Sequence, residues 1–360
     1  MKERILLIGP FPSPISGVSL ANEVLKCGLE NKGKQIGIIN TQVQTDIKGN
    51  TGKFSINKIL FFFKVYLSLY KILFFDIVNI TIGQTFFGVL KYLPFLLAAK
   101  IFKTKTVIHL HGGFLKNEYE NQKSLKKKLM LFTLRQFDYG IVLSKSLKEH
   151  LSFFLDGERI FICKNFFESS LKSMDKEEKN YEELRLIFLS NLIEGKGINL
   201  LLEALEGIDP NTIKVKVAGN ITPENKIVVS KMERFSNLEY LGVVSGKAKT
   251  EMLSWGNVFC LPTFYSRGEG QPISIIEAMA FGNLILTTKH GGIPDICTDN
   301  NAIFVEKNNV KDLKSKILFL ISNRIMLKKK GELNKVYAEK EFAEDVFVEN
   351  MIKIFDRCLS

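Results

Sequence analysis

Short apolar runs alternate along this chain with segments whose apolar residues recur at helical spacing. In the first half the runs Arg4 to Gly9, Ile36 to Ile39, Ile77 to Ile80, Thr106 to Leu110, Tyr139 to Leu143 and Ile160 to Cys163 predict strands. The segments between them predict helices from Val18, over Ile56 to Phe74, over Phe86 to Phe102, over Ser124 to Phe137 and up to Phe154. Glu168 to Leu184 is polar and charged with no apolar period, and a domain boundary belongs there. The rhythm then restarts with strands at Leu184 to Leu189, Ile213 to Ala218, Leu238 to Leu241, Asn257 to Leu261, Leu284 to Thr287 and Ala302 to Val305. Alternation at this spacing predicts parallel sheets in a doubly wound α/β arrangement. The expected organisation is a domain over 1–168, a linker over 169–183, a second domain over 184–341 and a closing helix within 342–360 that packs back on the first domain.

Composition narrows the class. The 360 residues suffice for two cores, and 46% hydrophobic with 24% charged residues is globular. Five scattered cysteines without a CxxC pair argue against a disulfide framework and a zinc site, and point to a reducing cytoplasm. The apolar run at the N-terminus is too short for a signal peptide, and the longest greasy stretch, Ile59 to Phe75, is interrupted by Lys64 and Lys71, so no spanning helix is expected. A net charge of +12 favours anionic partners. Nucleic acid is the weakest of them, because no nucleic-acid-binding signature is present.

The stretch EGQPISIIE, Glu269 to Glu277, holds the candidate chemistry. One carboxylate stands in a loop after the strand Asn257 to Leu261; the second follows in the first turns of a helix, with Pro272 at the first helical position and Ile273, Ile276 and Met279 as its apolar stripe. A helix entered from a buried strand offers backbone N–H groups to an anion, and Glu269 and Glu277 accept from hydroxyls. A nucleotide sugar is both phosphorylated and polyhydroxylated. Lys196 sits in a strand-to-helix loop beside a helix start, as a phosphate ligand or a solvated lysine. His111 follows the strand Thr106 to Leu110, with Gly112 and Gly113 opening the backbone, which suits a substrate contact; His109, two residues earlier, reads as a core histidine. Gly17 stands at the first helix entrance, where it reads either as a plain turn glycine or as room for a ligand.

Together these segments resemble the retaining glycosyltransferases of family 4, the group 1 transferases with the GT-B fold. The carriers are EGQPISIIEAMAFGNLILTTKHGGIPDI, similar to that family's E-x7-E motif and glycine turn, FLSNLIEGKG, similar to its Lys-Gly element, and HLHGG, similar to its histidine loop. The resemblance implies two Rossmann-like domains facing across a cleft, the acceptor on the first and the nucleotide sugar on the second. It implies ribose hydroxyls on Glu277, diphosphate on Lys196, the transferred sugar on Glu269 with backbone at Gly270, Gln271, Pro272 and Ile273, and His111 with Gly112 and Gly113 on the acceptor side. Gly17 would approach the diphosphate. Asn191 departs from the pattern, standing where the family often has an arginine, and Asp295 stands where many members have glutamate. No D-x-D occurs, so a metal-independent reaction without a cofactor is expected, with Lys196 and backbone amides stabilising the leaving group.

The implied activity is sugar transfer to a glycan or lipid-linked oligosaccharide in surface polysaccharide biosynthesis; the alternative is a non-catalytic nucleotide-binding or scaffold protein on the same fold. Lys58 to Phe75 places Lys64 and Lys71 on nearly one face of an otherwise apolar helix, with Lys58 close by, which reads as an interfacial helix or as a core helix with snorkelling lysines. With the second basic run, Lys123 to Arg135 including Lys126, Lys127 and Lys128, it leads to an expected cytoplasmic protein, peripheral on an anionic membrane face.

Overall fold

The six apolar runs of the first half pair side by side as parallel strands. They are β1 (Arg4–Gly9), β2 (Gln35–Asn40), β3 (Ile77–Thr81), β4 (Lys105–Leu110), β5 (Tyr139–Val142) and β6 (Ile160–Ile162), in the spatial order β2-β1-β3-β4-β5-β6. Residues Ile77 to Thr81 are buried throughout, as a parallel strand covered by helices on both faces requires. The computed structural model describes residues 3–43, 56–171, 179–222 and 225–360, so residues 172–178 of the expected linker, and the side chain of Lys58, lie outside what is described. The chain divides into two units, Met1–Asn165 with Asp345–Ser360, and Phe166–Glu344.

The helices of the first unit differ from the expected ones in instructive ways. After α1 (Gly17–Asn31), the single helix expected over Ile56 to Phe74 is two elements, α2 (Ile56–Tyr66) and a 3-10 helix, Leu69–Phe74. A run of Phe, Tyr, Val and Ser residues has modest helix propensity, and packing decides where it breaks. Tyr66 Oη donates to the Lys91 carbonyl at 2.9 Å, and the Thr104 hydroxyl reaches the Ile72 and Phe75 carbonyls at 3.4 Å. The helix expected over Phe86 to Phe102 is also split, into α3 (Phe86–Leu90) and α4 (Leu93–Phe102), because Pro94 in the first turn of α4 has no N–H to continue a helix through it. Then follow α5 (Leu115–Asn121), α6 (Ser124–Leu134) and the short α7 (Glu149–Ser152).

The second unit repeats the scheme with β7 (Leu184–Leu189), β8 (Ile213–Ala218), β9 (Leu238–Tyr240), β10 (Val258–Leu261), β11 (Leu284–Thr288) and β12 (Ala302–Val305), ordered β12-β11-β10-β7-β8-β9 and parallel throughout. Its helices are α8 (Ile198–Leu205), α9 (Val228–Met232), α10 (Gly246–Trp255), α11 (Ile273–Ala280), α12 (Val310–Ser322) and α13 (Ile325–Glu341). The strand order reverses between β7 and β10, so the loops after those two strands diverge from neighbouring carboxyl ends, where doubly wound sheets bind ligands. The last helix, α14 (Glu344–Leu359), buries Phe347, Val348, Met351, Ile354, Phe355 and Cys358, and belongs to the first unit from Asp345 onward. Its Val348 lies against Gly28 of α1, where any side chain would collide with it. No helix among the described residues is long and apolar enough to cross a membrane.

Candidate active site

The loops after β7 and β10 meet at the Gly195 carbonyl, which accepts the Phe264 N–H at 2.7 Å and lies 3.1 Å from the Thr263 hydroxyl; that hydroxyl donates to Glu269 Oε1 at 2.7 Å. Onto the same carboxylate oxygen Lys196 Nζ closes at 2.6 Å, and its charge lies 5.1 Å from the centre of the Tyr265 ring. Glu269 is 5% exposed. Lys196 ends a single 3-10 turn, Glu194–Lys196, rather than a plain loop, and α8 starts at Ile198 with Gly197 as its cap. Gly197 has φ +86° and a side chain there would strike the Pro262 carbonyl, so the turn that aims Lys196 depends on glycine.

The glycine turn after β11 supports Glu269 from behind. The Gly292 N–H donates to the Glu269 carbonyl at 3.1 Å, and Gly291, at φ +53°, leaves only 2.1 Å between that carbonyl and the place a Cβ would occupy. His290 Nε2 lies 2.9 Å from the Tyr265 carbonyl, so the same turn also holds the Tyr265 loop.

Pro272 is the cap of α11 and not its first helical residue, with an extended ψ of 117°. The first backbone bond of the helix runs from the Ile275 N–H to the Pro272 carbonyl at 3.1 Å, which leaves the amides before it in the position that suits an anion. Gly270, Pro272 and Ile273 are half-buried and Gln271 is buried. The helix has no single apolar stripe: from Ile275 to Ala280 every residue is buried, Glu277 included at 2%.

A charged side chain that periodicity and motif spacing do not single out holds Glu277. Lys249, on α10, places Nζ 2.5 Å from Glu277 Oε1 and 3.4 Å from Glu168 Oε1. Burial raises the Glu277 pKa above the usual carboxylate range, and Lys249 opposes that rise. Burial also pulls on Lys249, yet Glu277 and then Glu168 hold it above its ordinary value. Lys249 precedes the E-x7-E segment on a separate helix, and no spacing rule reveals that the two are neighbours in space.

Asn191 is exposed, two residues past the end of β7, and its carbonyl accepts the Ile193 N–H at 2.8 Å. Gly17 is exposed as the first residue of α1, one position after the cap Ser16, which exchanges bonds with Ser19 in a capping box.

In the first unit His111 follows β4 and packs against His109, with ring centres 4.1 Å apart and ring planes inclined at 40°. His111 thus follows the strand as expected and also packs on the core histidine. Burial drives the His109 pKa well below its ordinary value, with His111 adding to the effect, and lowers that of His111 to about 4. Neither ring nitrogen of His109, nor Nε2 of His111, has a hydrogen-bond partner among the described residues. Gln84, from the loop after β3, positions the loop: its Oε1 accepts the Phe114 N–H at 2.6 Å, and its amide occupies the space that a side chain on Gly112 would need. Gly113 is half-buried.

Residues 169–338 match the family described as glycosyl transferases group 1. The chain is 28% identical over 257 residues to an uncharacterized glycosyltransferase of Methanocaldococcus jannaschii, covering 69% of this chain and 68% of that one. It is 24% identical over 257 residues to a poly(ribitol-phosphate) alpha-N-acetylglucosaminyltransferase of Staphylococcus aureus, covering 69% of this chain but only 50% of that relative. Among solved structures, a glycosyltransferase from Rickettsia africae superposes with a TM-score of 0.75 at 18% identity, covering 100% of this chain and 99% of that one. HepE of Anabaena in complex with UDP superposes with a TM-score of 0.73 at 15% identity, covering 99% and 100%. These likenesses give the fold, GT-B with two Rossmann-like units.

Proposed function

We propose that the protein, whose residues 169–338 match the family described as glycosyl transferases group 1, moves a sugar from a nucleotide-sugar donor to a glycan or lipid-linked oligosaccharide acceptor in surface polysaccharide biosynthesis. The observation that carries this reading is the meeting of Lys196 and Glu269 at the point where the second sheet reverses its strand order, with Glu277 buried one helix turn beyond the free amides of α11. A cation, a helix start and two carboxylates are together what a diphosphate joined to two sugars requires. The relatives named above as glycosyltransferases, and the UDP bound to the Anabaena protein, support the same class of donor.

In this reading Glu277 accepts from the ribose hydroxyls, Lys196 takes the diphosphate, and Glu269 with the backbone from Gly270 to Ile273 takes the transferred sugar. Asn191 contributes an amide where an arginine's charge would otherwise stand, so Lys196 carries more of the diphosphate's charge. On the first unit, His111 with Gly112 and Gly113 serves the acceptor. The acceptor hydroxyl oxygen bonds to the anomeric carbon on the face that the diphosphate leaves, the bond from that carbon to the phosphate oxygen breaks, and the hydroxyl proton departs with that oxygen. The configuration is retained, and neither a metal nor an enzymic nucleophile is invoked; the absence of D-x-D and the position of Lys196 support that part. The reaction takes place where its acceptor lies, at the inner face of a membrane if that acceptor is lipid-linked.

The test is a thermal-shift screen against a panel of nucleotide sugars, followed by slow hydrolysis of whichever stabilises the protein. Stabilisation with hydrolysis supports transfer. Stabilisation without turnover, with or without added acceptors, assigns the protein instead to nucleotide binding alone.

A further inference from the structure

One face of the first unit carries a pattern that sugar transfer does not use. On α2, Leu60 and Phe63, and Leu67 just past its end, recur at helical spacing and stand in solvent, Phe63 at 70% exposure, with exposed Lys64 on the same stripe. The 3-10 helix Leu69–Phe74 continues the pattern with exposed Tyr70, Leu73 and Phe74 beside Lys71. Against that 3-10 helix packs α4, which presents Leu97, Lys100 and Ile101 outward, Ile101 at 75% exposure, and Lys103 follows it.

These residues are not the remainder of a poor core. The same elements fill the core from their other sides with Val65, Ile72, Phe95, Leu96 and Ala99, and the Tyr66 ring lies 5.7 Å from that of Phe95. The charge on the face has one sign. From Leu60 to Phe75 and from Phe86 to Lys105 the sequence contains no Asp or Glu, and the next carboxylate, Asp76, is paired with Arg4 at 2.5 Å. Apolar side chains interleaved with lysines that extend past them match the boundary between acyl chains and phosphate headgroups. A second copy of the chain is a worse occupant, since a two-fold contact would set lysines against lysines.

We propose that this face, built from α2, the following 3-10 helix and α4, docks the protein onto an anionic lipid bilayer. On the other basic run, α6, Lys126 lies over the Phe86 ring and Lys127 over the Tyr119 ring. The proposal deepens the functional reading where it supplies a route to a lipid-linked acceptor. Vesicle binding is measured without donor or turnover, so failure of either idea leaves the other to be judged separately.

The experiment is co-sedimentation of the full chain with vesicles of phosphatidylcholine alone or mixed equally with phosphatidylglycerol, at low and at high salt. Binding to the mixed vesicles at low salt, with release at high salt and little binding to the neutral ones, is expected. Lys64→Gln and Lys100→Gln should each weaken it about fivefold, and Leu67→Glu combined with Leu73→Glu should abolish it. Both leucines are exposed, so the double variant should keep the wild-type melting temperature and donor hydrolysis. Absence of binding at low salt, or equal binding to both vesicle types, overturns the proposal. So does light scattering that shows a wild-type dimer which the double variant turns into a monomer, since the face then belongs to a second copy.

Discussion

Lys196 and Glu269, from loops that follow different strands, share a proton-bridged contact of 2.6 Å in which the carboxylate oxygen also accepts from Thr263. Both side chains are mostly shielded, so each is compensated chiefly by the other. On the proposed reading a bound diphosphate would compete with Glu269 for Lys196, and a bound sugar with Lys196 for Glu269, so that the donor would be recognised by exchange of an existing pair.

The pair yields the first prediction. Lys196→Met leaves the Glu269 carboxylate uncompensated and is expected to cost about 3 kcal/mol of stability. It should also weaken nucleoside diphosphate binding, and lower turnover further, because leaving-group charge grows in the transition state. Denaturant unfolding and titration with nucleoside diphosphate are the checks. Unchanged diphosphate affinity in a folded variant would remove Lys196 from the phosphate site.

Glu277 and Lys249 give a prediction in pH. With Lys249→Met, burial acts on Glu277 unopposed and its pKa rises further above the usual range, so the carboxylate is protonated at a higher pH than in wild type. A protonated Glu277 loses an acceptor for hydroxyls, and nucleoside diphosphate affinity is expected to fall about tenfold near neutrality and to recover as pH rises. Lys249→Arg should restore the wild-type profile. Affinity of the Met variant that is low at every pH would mean that Lys249 supports the fold and not the ionisation of Glu277.

His109 and His111 predict how stability depends on pH. Both have folded pKa values below the ordinary 6.5, that of His111 at about 4, so in this window the unfolded chain binds more protons than the folded one. Stability is therefore full above 6.5 and is lost as pH falls from there toward 4, at up to about 1.4 kcal/mol per pH unit for each ring. His111→Ala should flatten part of that slope and lower turnover steeply. Melting curves across pH measure it, and a wild-type curve flat through the window would contradict the neutral packed pair.

Gly291 and Gly33 share positive φ but not surroundings. Gly291→Ala would press a Cβ into the Glu269 carbonyl, whereas Gly33→Ala, at φ +75°, meets no atom within 4 Å. The Gly33 variant is expected to lose about 1 kcal/mol from backbone strain alone, and the Gly291 variant more than about 2 kcal/mol together with donor turnover, since Glu269 must move. Equal losses in unfolding experiments would show that the glycine turn does not position Glu269.

The sequence by itself determined the alternation of strands and helices, the restart after Glu168, the presence of Glu269, Lys196 and His111 in loops after strands and that of Glu277 on the following helix, because these depend on periodicity and on near neighbours along the chain. Tertiary structure alone decided the strand orders, and with them which loops meet at the reversal between β7 and β10. It decided that Lys249 neutralises Glu277 from a helix 28 residues away, and that His111 packs against His109. It also decided where the helix expected over Ile56 to Phe74 breaks, and which apolar residues of that segment and of α4 stay outside. The physical reason is common to all of these. Buried charges, ring contacts and exposed faces depend on distances between segments remote in sequence, and local propensity contains no information about those distances.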